Sequence, residues 1–161
     1  MKLLMNVTED DKFLRGIIAG LIAGLAKDIP SIVADYFINP FPSYWDYAGL
    51  VGFGVEPNTF FEYFYAILIE LGFSAAIGVI IVYINGIIPS KHFLIKGAFL
   101  GASVWLSISG LVFFNQIPQL SKPHIAATII NSLTSIGYGM LLTVIDRYLA
   151  SKNKNHSKDR S

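Results

Sequence analysis

The chain has 161 residues, 53% of them hydrophobic and only 14% charged, with a formal net charge of +1. A soluble domain carries about 25% charged residues, so this composition points to a lipid environment, and the near-neutral balance excludes a nucleic-acid partner. There is no cysteine, which excludes disulfides, thiolate metal sites and thiol redox chemistry.

Four long apolar stretches follow one another, at residues 13–38, 60–84, 93–114 and 125–150. About 20 apolar residues suffice to cross a bilayer as a helix. Backbone polar groups must be paired inside lipid, so each stretch is expected to be helical. The expected fold is therefore an all-α integral membrane protein, a single four-helix bundle over residues 1–150.

The first stretch begins after Thr8, Glu9, Asp10 and Asp11. Thr8 with Asp11 reads as a capping box, and the acids suit the positive helix end. Lys2, Lys12 and Arg15 balance those acids, which is not the positive leader of a cleaved signal. Gly16, Gly20, Gly24 and Asp28 recur every four residues, and Asp35 rejoins the stripe seven residues later. Small residues at this spacing let helices approach closely. Lys27 and Asp28 fall in the middle of the stretch, where charges are costly and face partners or pathways. Pro30 should either kink the helix near Ala26 or open a new half-helix capped by Asp28.

Residues 39–59 form a loop rich in Pro, Gly and aromatics. Tyr44, Trp45 and Tyr47 fit a headgroup belt, or a lid over a cavity. The second stretch carries Glu62, Ala66, Glu70, Ser74 and Gly78 at spacing four. Glu70 sits near mid-depth and should face the bundle, and a Lys27–Glu70 bridge is the first pairing expected. The third stretch offers Gly97 and Gly101, and the fourth offers Asn131, Ser135 and Gly139. A basic tail over 151–161 is expected to be disordered and cytoplasmic.

Basic residues cluster at the N-terminus, around Lys91 and Lys96, and at Arg147, Lys152, Lys154, Lys158 and Arg160. The positive-inside rule then puts both termini in the cytoplasm. His92, His124 and His156 lack metal-ligand spacing, so no metal or cofactor is expected. No P-loop, GxSxG or HExxH motif is present, and no enzyme activity is expected. Asp28 and Asp35 stand about 10 Å apart along one helix, too far to share a proton as an aspartyl dyad.

Lys27 alone opposes Asp28, Asp35, Glu62 and Glu70 in the spans. Full pairing is impossible if all ionise, which makes these residues, with Asn131, candidates for proton or cation handling. The alternative is a non-transporting subunit or scaffold whose glycine faces bind a partner helix. Either way a homo-oligomer or a membrane-protein partner is expected.

The GIIAGLIAGLAKD opening, the aromatic and proline-bearing loop, the IPSKHFLIKGAFLGA connection and the IDRYLA ending resemble the YagU-like and YqhR-like groups of small bacterial inner-membrane proteins. The resemblance implies four helices in a bacterial plasma membrane. It also implies a link to acid tolerance.

Overall fold

The computed structural model describes residues 11–37, 43–114 and 125–158, with side chains except at Asp35, 111–114 and 153–158. Five helices appear in the order α1 Lys12–Phe37, α2 Tyr44–Phe53, α3 Phe60–Ile87, α4 Phe93–Phe114 and α5 Ile125–Lys158, with no strand among the described residues. Four of them are long and apolar enough to cross a membrane: Lys12–Ala34, Phe60–Ile87, Phe93–Gly110 and Ile125–Lys152. Large side chains such as Leu25, Ile29, Ile95, Phe99 and Leu106 point outward. In water such a surface would be an aggregation liability; in lipid it is the ordinary outer face. The chain is thus built as a multi-pass membrane protein.

Several ends are fixed by local chemistry. Asp11 caps α1, its Oδ1 accepting from Phe13 N at 2.8 Å and Leu14 N at 3.3 Å. Asp11 is thus itself a cap; Thr8, Glu9 and Asp10, and with them the expected Thr8 box, lie outside the described residues. α1 runs unbroken through Pro30, so Asp28 does not cap a second half-helix. A Pro costs one backbone bond, and the packing of α1 on two neighbours holds the helix across that gap.

The stretch expected as a loop contains α2. Ser43 and Asp46 form a reciprocal capping box at its start, and Gly54 ends it in the left-handed region with φ 80°, a conformation glycine adopts without a Cβ clash. α3 starts with another capping box, Thr59 with Glu62, and ends three residues beyond the expected 84. At that end Lys96 reaches back to donate to the carbonyls of Ile84 (3.3 Å) and Ile88 (2.6 Å). The last helix runs on beyond the expected end at 150, to Lys158. Lysine is a good helix former, and its charge favours the negative helix end.

The packing order across the bundle is α3, α1, α5, α4, with α2 resting on α3. Sequential spans run antiparallel. Glycine sets the two closest contacts. A Cβ at Gly16 would lie 2.5 Å from Val79 Cα, and one at Gly20 would strike the Ser74 carbonyl. Gly78 faces Gly16 and Gly20 from the other side, and Gly24 abuts the Ser74 side chain. On α4 and α5, Gly97 and Gly101 meet Gly139 and Ser135 backbone to backbone. The candidate packing glycines are therefore used inside this chain. Between these seams lies a core of Ala19, Ala23, Ile81, Val82, Tyr138 and Leu142.

Candidate functional site

Register on the α1–α3 seam decides what meets at its deep end. With Gly24 against the Ser74 side chain, about one further turn along α1 brings Lys27 opposite Glu70. Lys27 Nζ lies 2.5 Å from Glu70 Oε1 and 3.1 Å from Asp28 Oδ1. It also stands over the Tyr44 ring, 3.6 Å from the centroid. The ammonium has three donors, so two carboxylates and one aromatic face occupy all of them.

The carboxylates are less fully served. Glu70, only 6% exposed, accepts at Oε1 from Lys27 and from Ser74 Oγ at 2.8 Å. Its Oε2 is buried with no hydrogen-bond partner among the described residues. Asp28 is approached by the indole of Trp45. One ammonium against two carboxylates leaves an excess negative charge at mid-depth when all are ionised.

α2 closes one end of this cluster. Tyr44 donates its hydroxyl to the Asn131 carbonyl at 2.7 Å and lies 2.7 Å from Thr134 Oγ1. Burial pushes the phenols of Tyr44 and Tyr47 above their ordinary range, so both are neutral hydrogen-bonding groups. Asn131 is fully buried, and its side chain interacts with Tyr47. Trp105 of α4 stands edge-on to both tyrosines, with centroids 6.2 and 6.0 Å away.

A cavity of about 330 Å³ opens over the cluster. Lys27, Glu70 and Ser74 form its polar floor; Tyr44, Tyr47 and Val51 of α2 form one wall. Ile69 and Phe73 of α3, Val104, Trp105 and Ile108 of α4, and Ser135 and Tyr138 of α5 complete it. The walls are overwhelmingly apolar. α3 and α4 pack on other helices rather than on each other, so the cavity lies in the gap between them. A second space of about 40 Å³ lies beneath the start of α2, lined by Asp28, Ser31, Ser43, Tyr44 and Trp45. Tyr44 thus separates two spaces, with Asp28 on one side and Glu70 on the other.

Not every sequence candidate joins this site. Glu62 is exposed at the α3 start, where Oε2 accepts from Asn58 N at 2.7 Å and Thr59 N at 2.9 Å. Its spacing from Glu70 is helical, but it is a cap. The Asp35 side chain lies outside the described residues. Sequence reasoning missed the depth to which Tyr44 reaches, although Ser43-x-x-Asp46 was a visible cap signal. It also missed a second ion pair at the opposite end, where Arg15 Nε meets Asp146 Oδ1 at 2.8 Å. Asp146 continues the Gly139–Leu142 face of α5, a stripe that could have revealed it. Among the described residues no three His, Asp or Glu side chains are grouped for a metal ion.

Compared with protein-family models, curated proteins and solved structures, the chain matches none of them.

Proposed function

We propose that this is a small membrane transport protein that handles protons or cations at the Lys27–Asp28–Glu70 cluster. The observation that carries the reading is the buried Oε2 of Glu70, unpartnered beside an ammonium whose donors are all engaged. Intramembrane charges are costly and are kept where they pair or form pathways. A purely structural pair would be served by one carboxylate; this cluster has two. Two spaces adjoin Tyr44, one reaching Glu70 and the other Asp28. The smaller has room for about one water molecule.

This reading takes the protein as a non-enzymatic homo-oligomer in a bacterial plasma membrane, with both termini cytoplasmic. Arg15 and Asp146 pair across the ends of α1 and α5, which supports one shared side for the termini. The scaffold alternative loses its main support, because the glycine faces it needs are filled within the chain.

Purified protein in proteoliposomes under an imposed pH gradient tests the proposal, with and without a membrane potential. Wild type should dissipate the gradient and Glu70→Gln should not. Equal leak through both, or a tight vesicle with both, overturns it.

A further inference from the structure

The cavity over Glu70 has a chemistry that selects among cations. Its floor pairs Lys27 with Glu70, the Asp28 carboxylate behind Lys27 makes the cluster as a whole acidic, and Lys27 has no donor left for an anion. An anionic ligand would therefore meet uncompensated carboxylate charge. An inorganic cation needs about six oxygen ligands, whereas this space is walled by Ile69, Phe73, Val104, Trp105 and Ile108. Three aromatic rings, Tyr44, Tyr47 and Trp105, stand together on one side. Aromatic faces attract cations, most strongly when the site is dry.

We propose that the cavity binds a lipophilic organic cation, with its charge against Glu70 and the rings of Tyr47 and Trp105 and its apolar body against the aliphatic walls of α3 and α4. The inference rests on the transport reading above and names its substrate class. The volume of about 330 Å³ lies at the lower end for small-molecule sites. It suits a substituted ammonium bearing one ring. Oε2 of Glu70, buried and unpartnered, is left for the ligand's charge while Oε1 keeps its bonds from Lys27 and Ser74. Entry is lateral, through the gap between α3 and α4, where such a molecule partitions from the bilayer.

The test is equilibrium dialysis of full-length protein in lipid nanodiscs against benzyltrimethylammonium, with neopentylbenzene as the uncharged isostere and empty nanodiscs subtracted. Wild type should bind the cation saturably and the isostere not at all saturably. Glu70→Gln should weaken cation binding at least tenfold. Val104→Phe, which narrows the cavity without touching a polar group, should do the same, and outward-facing Leu106→Phe should not. These last two variants decide the matter if Glu70→Gln fails to fold. Absence of saturable binding to wild type, equal binding of the isostere, or equal binding by Val104→Phe and Leu106→Phe overturns the proposal. Glu70-dependent proton flux without cation binding sinks this inference and leaves the transport reading standing. Saturable, Glu70-dependent binding without flux supports the site and sinks transport.

Discussion

Tyr138 of α5 donates its hydroxyl to the backbone carbonyl of Ser74 on α3 at 2.7 Å, one turn from Glu70. The bond crosses between two helices that run parallel and otherwise touch little. It sets the width of the cavity floor, because Ser74 also donates to Glu70. Tyr138→Phe should lower stability by about 1 kcal/mol, the usual net value of one such bond. Unfolding in mixed micelles measures it, and an unchanged midpoint would mean the bond contributes nothing.

Lys27 should be far more costly to remove. Lys27→Met strands Asp28 and Glu70 without their cation, and breaking a buried pair costs about 3–5 kcal/mol. Lys27→Met with Glu70→Gln should recover part of that loss, since only Asp28 then remains uncompensated. A double-mutant cycle on detergent-solubilised protein gives the coupling. Additive losses would show that the two side chains do not interact.

Glycine substitutions should divide sharply by position. Gly20→Ala, Gly78→Ala and Gly139→Ala each drive a Cβ into a neighbouring helix backbone, and overpacking costs about 1–3 kcal/mol. Gly72, Gly110 and Gly137 have open space at the same point. Alanine there should stabilise by about 0.5–1 kcal/mol through helix propensity alone. Thermal melts of the two sets separate them, and identical effects would contradict the seams described.

Glu62→Ala should leave transport and cation binding at wild-type levels while lowering the melting midpoint, because it removes half of the Thr59 capping box. The carboxylate serves Asn58 N and Thr59 N at the α3 start, well away from the cluster. Proteoliposome flux and a melt on the same preparation check both halves. Loss of flux would return Glu62 to the pathway.

The four spans could be read in advance because lipid imposes one rule, internal backbone pairing over a fixed thickness. Gly16, Gly20 and Gly78 announced the α1–α3 seam, and charge cost alone predicted that Lys27 would seek Glu70. α2 resisted reading for a different reason. Its ten residues hold two glycines and four aromatics, and neither hydrophobic periodicity nor length separates such a segment from a belt loop. Only the tertiary docking of Tyr44 onto Lys27 and Asn131 makes it part of the site. Glu62 misled because spacing along a helix says which face a residue shares, not whether that turn is inside the bundle.

The 43-residue separation of Lys27 from Glu70 also has a bearing on biogenesis. Chains grow at about 5–20 residues per second, so Lys27 emerges roughly two to nine seconds before its main partner exists. During that interval Asp28, adjacent in the chain, is the counter-charge at hand. The Lys-Asp dipeptide thus enters the insertion machinery as a nearly neutral unit, and the first helix can wait at the bilayer for the third to arrive.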